Sequence, residues 1–193
     1  MIQNQIKTNK EVPSKFSGIP GQTMGKKRKS RSASEYKNSL KEKQKMRELY
    51  CLSEKQFKRY VNETLSMTKA ENLEDELIKR LEKRLDSVVL RLGLAKSQRQ
   101  ARQLVSHGYF LVNGRSVNIP SFQVNKGDSI TIKESKKKKL IFNDLSVTLK
   151  KIQTPAWLSV DSEKLEGKII RDPNFKEVNS PIEISLIFEF YSR

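Results

Sequence analysis

The segment SQRQARQLVSHG, residues 97–108, constrains the fold most, because it carries the start, the buried face and the stop of one short helix. Ser97 followed three residues later by Gln100 has the spacing of an N-terminal capping box, and Gly108 supplies a C-terminal stop. The apolar face between these signals consists of Ala101, Leu104 and Val105. The sequence therefore predicts a helix over residues 97–106 that packs by this face.

The residues on either side of this helix predict a compact module. Asn113-Gly114 between two apolar stretches is typical of a type I′ hairpin turn. Farther on, SITIK alternates Ile130 and Ile132 as a half-buried strand would. A preceding short helix that ends near Gly93 is indicated by Val88, Val89, Leu92 and Leu94. Residues 87–135 are thus expected to form two short helices followed by a small antiparallel sheet.

Residues 36–86 predict a helical domain with three helices. The first has an apolar face of Leu40, Met46, Leu49 and Tyr50. Ser53 with Gln56 forms a second capping-box spacing and opens the next helix, whose apolar positions are Phe57, Val61 and Leu65. The third runs from about Ala70 to Asp86 with Leu73, Leu77, Leu81 and Leu85 spaced by four.

The two ends of the chain have different character. Residues 1–35 are rich in Pro, Gly and basic side chains and predict an extended arm that is ordered only against a partner. Residues 136–193 are expected to contain a helix within 136–151 and then strands at WLSVD, GKII and ISLIFEFY. The last of these could instead begin as a short helix at Ser180-Pro181, and packing of the C-terminal tail on the helical domain is left open. The expected fold class is α+β.

Charge indicates the kind of partner. The net charge is +17, residues 1–60 hold 16 basic and 5 acidic side chains, and residues 87–127 hold no Asp or Glu. An excess of this size implies a polyanion, either nucleic acid or an anionic membrane surface. No apolar run has the length of a membrane span, the N-terminus is too polar for a secretory signal, and the absence of Arg before Arg28 argues against a transit peptide.

The basic positions of the 97–106 helix favour RNA. Arg99, Arg102, Gln103 and Ser106 project away from its apolar face. Guanidinium groups bind phosphate oxygens in pairs, and Gln or Ser can reach a ribose hydroxyl or a base edge. Merely solvated charges would normally have carboxylate partners one turn away, and this segment has none. Lys96 lies at the preceding corner and can flank the same surface.

Catalysis and metal binding are not expected. His107 is the only histidine and lacks a local carboxylate, so helix capping or RNA contact is favoured over a role as general base. Cys51 is the only cysteine, which excludes a cysteine-cluster zinc site and an intrachain disulfide; a buried apolar role is favoured over a reactive thiol. Trp157 is expected to pack, whereas KKKK at 136–139 fits a phosphate clamp or a solvated run equally well. We expect no enzyme, cofactor or small-molecule substrate.

The string RLDSVVLRLGLAKSQRQARQLVSHGYFLVNGRSVNIPSFQV resembles the RNA-binding module of the bacterial-type ribosomal protein S4 family. Pseudouridine synthases, tyrosyl-tRNA synthetases and small ribosome-rescue or heat-shock proteins share this module. The flanking segments PGQ, SEYKNSLKEKQKMRELYCLSEKQFKRY, TPAWLSVD, LEGKI and IFEFYSR resemble the helical domain and C-terminal part of the ribosomal family. The resemblance covers roughly residues 20–193.

The resemblance implies a structural constituent of the small ribosomal subunit that binds a helical junction in the 5′ domain of its rRNA early in assembly. It also implies a place near the channel through which mRNA enters, next to ribosomal protein S5, with an influence on translational accuracy. The implied rRNA contacts are Lys45, Arg47, Lys55, Arg59, Arg91, Arg99, Arg102, Gln103, Ser106, His107 and Arg115. Lys96 and the arm residues Lys26, Lys27, Arg28, Lys29 and Arg31 complete the candidate RNA-binding set.

Two departures from the family pattern and two other functions stay open. Residues 1–19 lack the family's longer extension and its occasional cysteines, and are expected to lie outside the resemblance. Cys51 stands where the family generally has Gly. A stress or rescue factor, or an RNA-modifying enzyme with an appended module, is the alternative. The expected location is a ribosome, in bacterial cytoplasm or in an organelle that encodes the protein.

Overall fold

The computed structural model describes residues 31–67, 72–142, 145, 149, 153–178 and 182–192. The candidate contacts Lys26, Lys27, Arg28 and Lys29 lie outside these residues. The helices are α1 (Arg31–Leu49), α2 (Glu54–Leu65), α3 (Leu73–Glu82), α4 (Leu85–Arg91), α5 (Gln98–Ser106), α6 (Glu134–Lys137), α7 (Phe175–Val178) and α8 (Ile184–Ser192), with a 3₁₀ turn at Leu140–Phe142. The strands are β1 (Phe110–Val112), β2 (Arg115–Val117), β3 (Ser129–Ile132), β4 (Leu158–Asp161) and β5 (Glu166–Ile169). None of the helices in these ranges has the length and apolarity needed to cross a membrane.

The strands form one antiparallel sheet in the order β2-β1-β3-β5-β4. The predicted hairpin is confirmed, since Asn113 and Gly114 have φ of 50° and 78°, as both central residues of a type I′ turn require. Ile130 and Ile132 are buried on β3 as expected. WLSVD and GKII also supply strands, namely β4 and β5.

The two helix starts predicted from capping residues, at Ser53 and Ser97, are confirmed. The Ser53 hydroxyl accepts the Gln56 N–H at 3.3 Å and the Gln56 carboxamide accepts the Ser53 N–H at 3.4 Å, a full capping box. At Ser97 only half of the box forms, because the Gln100 carboxamide accepts the N–H of Lys96 instead. Helix α5 then ends before Gly108, which has a φ of 65°.

The predicted single helix from about residue 70 to 86 is wrong, because two helices meet there. Helix α3 ends at Glu82, and Arg84 is extended, with a φ of −66° and a ψ of 137°. Its backbone pairs with Gln123 in an isolated β-bridge, and the N–H of Leu85 donates to the carbonyl of Phe122 at 2.8 Å. These bonds to a distant loop replace the helical ones. The predicted domain boundary at residue 86 falls inside α4.

The predicted C-terminal strand ISLIFEFY is also wrong, because these residues form helix α8. Alternating apolar residues suggested a strand, but Ile184, Ile187, Phe188 and Tyr191 also have the i, i+3, i+4, i+7 spacing of one helical face. Ile184 and Ile187, one turn apart, are buried in the core of the helical domain, and α8 packs on α1 and α2. Burial of this face decides the local structure.

Helix α1 begins at Arg31 and so includes the last five residues assigned to the extended arm. No Pro or Gly stands between Arg31 and Leu49 to stop it. On its apolar side Met46 is fully buried, but Leu49 is 45% exposed and does not join the core as predicted.

The apolar side chains form two clusters. One lies between the sheet and helices α4 and α5 and contains Trp157, which is 1% exposed and packs as expected. The other joins α1, α2, α3 and α8. Gly167 on β5 lies against α4 in the first cluster, where a Cβ at this residue would stand 2.4 Å from Leu92 Cδ1.

We expect Gly167→Ala to lower the free energy of unfolding by about 1–3 kcal/mol, because the added methyl overpacks a fully buried contact. Denaturant unfolding measures this change. In a Leu92→Ala background the same substitution should cost far less, since the vacated space accepts the methyl. Equal losses in the two backgrounds would show that Leu92 does not limit the space at Gly167.

Candidate RNA-binding surface

The carboxylate of Glu82 connects the helical domain to the module. Glu82 is fully buried at the end of α3. Its Oε1 accepts the hydroxyl of Tyr50 at 2.6 Å and Nη2 of Arg91 at 2.7 Å, while its Oε2 accepts Nε of Arg91 at 2.9 Å. Tyr50 follows α1 and Arg91 ends α4. The three side chains therefore join both domains in one charge-assisted cluster.

The contacts in this cluster determine the protonation states of Tyr50 and Arg91. Burial, and then the negative charge of Glu82, raise the pKa of Tyr50 well above its usual value. The hydrogen bonds from Arg91 to Glu82 raise the pKa of the Arg91 guanidinium further. Tyr50 stays neutral and Arg91 stays charged at physiological pH. The sequence proposed Arg91 as an RNA contact, whereas the structure gives it an intramolecular partner and leaves its side chain 31% exposed.

A second buried cluster lies at the break between α3 and α4. Arg84 Nη2 and Nε donate to the two carboxylate oxygens of Asp86 at 2.6 and 3.0 Å, and Arg84 Nη1 donates to the Tyr60 hydroxyl at 2.8 Å. Burial by itself lowers the pKa of Arg84, but the bonds and charge of Asp86 outweigh it and raise the value. Tyr60 belongs to α2, so this cluster also spans the two domains.

A third link runs from α5 to the turn between α1 and α2. Arg102 Nη1 donates to the backbone carbonyl of Cys51 at 2.9 Å. Cys51 has a φ of 49°, a left-handed backbone conformation that glycine adopts far more readily than cysteine. Its side chain is half-buried rather than buried as predicted. The predicted RNA contact Arg102 thus has a structural partner.

Residues from both domains line a cleft beside this link. Arg47 of α1 and Arg99 of α5 lie in it together with Glu48, Cys51 and Leu52, around a volume of about 280 Å³. Arg99 is exposed and has no hydrogen bond or ion pair to any residue that the structure describes. The fold therefore brings together two predicted contacts that are 52 positions apart in the sequence.

The other predicted contacts of the module lie at the surface. Side chains of Lys96, Gln103, Ser106, His107 and Arg115 are exposed. The first four accompany Arg99 on or beside α5, whereas Arg115 begins the edge strand β2. No group of His, Cys, Asp or Glu in the described parts of the chain is arranged to hold a metal ion.

Lys45 and Arg59, two of the predicted RNA contacts in the helical domain, form ion pairs within the protein. Lys45 pairs with Glu42 at 2.6 Å, and Arg59 pairs loosely with Glu63 at 3.7 Å. Lys55 and Arg59 line a groove on α2 with Lys58, a residue that was not among the predicted contacts. Its position one residue before Arg59 could have identified it, because consecutive basic residues on an exposed turn are a signal for phosphate binding. Arg31 starts α1.

The lysine run is divided between contacts. Lys137 pairs with Glu134, and the Lys136 ammonium lies 5.0 Å from the centre of the Tyr109 ring. Lys138 and Lys139 are exposed. Half of the run therefore has partners within the protein.

Two family models match this architecture. The model of the S4 domain matches residues 83–130, and that of the ribosomal protein S4/S9 N-terminal domain matches residues 4–82. The chain thus joins an S4-type module to the N-terminal domain of ribosomal proteins S4/S9. Because the second match begins at residue 4, the expectation that residues 1–19 lie outside the resemblance is wrong for residues 4–19.

Bacterial relatives resemble the chain over most of its length. Small ribosomal subunit protein uS4 of Halothermothrix orenii is 45% identical over 86% of this chain and 79% of its own. That of Persephonella marina is 45% identical over 91% and 83%, and uS4A of Alkaliphilus metalliredigens is 42% identical over 96% and 87%. The chain belongs to the uS4 family of small ribosomal subunit proteins. These names are those of a structural protein and not of an enzyme, as expected from the sequence.

We expect Glu82→Ala to lower the free energy of unfolding by about 3–5 kcal/mol, because it leaves the Arg91 charge and the Tyr50 hydroxyl without their partner. Glu63→Ala, which removes an exposed partner of Arg80, should cost under about 1 kcal/mol. Urea unfolding of both variants measures the difference. Similar small losses would mean that the buried cluster contributes little to stability.

Cys51→Gly should raise the free energy of unfolding by about 0.5–1 kcal/mol, since glycine adopts the left-handed backbone without steric cost. Cys51→Ala keeps a Cβ and provides the matched control. Thermal unfolding under reducing conditions compares the three proteins. If Gly and Ala give the same stability, the backbone at residue 51 carries no strain.

Proposed function

We propose that this protein is a structural constituent of the small ribosomal subunit and binds the rRNA of that subunit through α5 and the α1–α2 region. One observation carries the proposal: Arg99 and Gln103 are exposed on α5 within the S4-domain match, in a stretch without any Asp or Glu from residue 87 to 127. Such a stretch attracts phosphates without competition from carboxylates of its own. Lys96, Ser106, His107 and Arg115 extend the same proposed surface.

The finer assignment is a primary assembly role. We propose early binding at a helical junction of the 5′ domain, a place near the channel through which mRNA enters, and contact with ribosomal protein S5. The arm residues 26–31 would add phosphate contacts. A bacterial ribosome is supported by the bacterial origin of the relatives, and an organellar ribosome stays the other candidate location.

The match to the N-terminal domain of ribosomal proteins disfavours the two alternatives. A rescue factor would need the S4 module but not the helical domain that residues 4–82 match. An RNA-modifying enzyme would need a catalytic domain, but the relatives are named as small ribosomal subunit proteins and not as enzymes.

We expect Arg99→Ala to weaken binding of a 5′-domain rRNA fragment by about 1.5–3 kcal/mol, the value of a charge-assisted contact. Filter binding at physiological salt measures the affinity. The control is Arg171→Ala, which removes an equal charge outside the acid-free segment and should change affinity much less. Equal losses in the two variants would mean that only net charge matters.

The assignment to the ribosome has a separate test. Sedimentation of cell extract through sucrose at high salt should leave the protein with small subunits, because a constituent makes many contacts that salt does not strip together. Release of the protein to the top of the gradient would favour a transient factor.

A further inference from the structure

We propose that Arg47 and Arg99 hold one RNA backbone phosphate in the cleft between the two domains, and that Arg102 positions these two arginines instead of contacting RNA itself. The inference rests on the proposed RNA binding. It goes further by naming the bound group and by giving different roles to three arginines that were all expected to contact RNA.

The cleft is built from two separate parts of the chain. Arg47 comes from the last turn of α1, and Arg99 comes from the first turn of α5. Both residues line the same space of about 280 Å³. A phosphate has several acceptor oxygens, so it can accept bonds from two guanidinium groups at once.

Both guanidinium groups are available to a ligand. Arg99 is exposed without a partner in the described ranges. Arg47 has one long ion pair, with Nη1 3.4 Å from Glu54 Oε2. The Lys43 ammonium and the Tyr191 hydroxyl both donate to the other oxygen, Oε1, at 2.7 and 2.8 Å. The Glu54 side chain is 44% exposed, so water can replace Arg47 at Oε2 when Arg47 turns to a ligand.

Arg102 differs from these two in its contact. It is half-buried, and its bond to the Cys51 carbonyl joins α5 to the turn that follows α1. Cys51 itself lines the cleft. The bond therefore sets the separation between α1, which carries Arg47, and α5, which carries Arg99. One N–H donor of Arg102 is thereby used within the protein.

One carboxylate opposes the proposed ligand. Glu48 also lines the cleft and is exposed. Its charge should repel a phosphate held by Arg47 and Arg99. Removing the Glu48 charge should therefore strengthen phosphate binding, whereas removing an arginine should weaken it. Because Glu48 is exposed, its substitution disturbs no buried contact.

The role of Arg102 is tested by a mutant cycle with the 5′-domain rRNA fragment and filter binding. Arg102→Ala should weaken binding about tenfold in the wild-type background. In an Arg47→Ala, Arg99→Ala background it should weaken binding less than about twofold, because the groups it positions are gone. An equal loss in both backgrounds would show that Arg102 contacts the RNA directly and would overturn its positioning role.

The shared phosphate is tested by salt dependence. If both arginines neutralise one phosphate, the double variant should reduce the slope of log affinity against log salt by about 0.7–0.9, whereas two separate phosphates would give about 1.4–1.8. Glu48→Gln should tighten binding by about two- to fivefold, as expected for relief of one partly screened repulsion. A slope change near the larger value, or no tightening by Glu48→Gln, would contradict the shared site.

The outcomes also separate this inference from the proposed function. A wild-type protein that binds the fragment no better than scrambled RNA of equal length would refute the function itself. Specific wild-type binding with additive effects in the cycle would refute only the positioning role. If Arg102→Ala fails to fold, as circular dichroism would show, the salt slope and Glu48→Gln still decide whether the site exists.

Discussion

The bonds that the buried Glu82 carboxylate accepts from Tyr50 and Arg91 hold the end of α1, the end of α3 and the end of α4 together. A carboxylate removed from water is unfavourable unless its lone pairs are satisfied, and these two partners satisfy them from separate domains. Two residues farther along the chain, Arg84 forms a similar buried cluster through its bonds to Asp86 and Tyr60. The two apolar cores are consequently joined through polar contacts.

These contacts between the domains matter for the proposed RNA binding, because the cationic side chains lie in different domains. Arg99 is carried by α5, whereas Arg47 and Lys55 belong to the first two helices. RNA that contacts both groups would lose affinity if the domains moved independently, since ordering them would oppose binding. The buried clusters and the Arg102 bond connect the domains in the free protein and so oppose that motion.

Local signals explain what the sequence predicts well. The capping residues Ser53 and Ser97, the turn at Asn113-Gly114 and the alternation on β3 each act within a few residues, so their outcome does not depend on the rest of the chain. The C-terminal helix and the break at Arg84 depend on distant partners, and periodicity alone does not reveal them. The site divides in the same way: exposure of Arg99 follows from the helix pattern, whereas the bonds of Arg91 and Arg102 need the tertiary fold.

The buried clusters predict that the two domains of the free protein unfold as one cooperative unit, which native-state hydrogen exchange can measure. Val61 represents the core of the helical domain, and Ile130 represents the core of the module. If the buried clusters join the domains, the slowest amides near both residues should exchange through the same global opening and give equal free energies. A helical core that opens at a clearly lower free energy than the module would contradict the account.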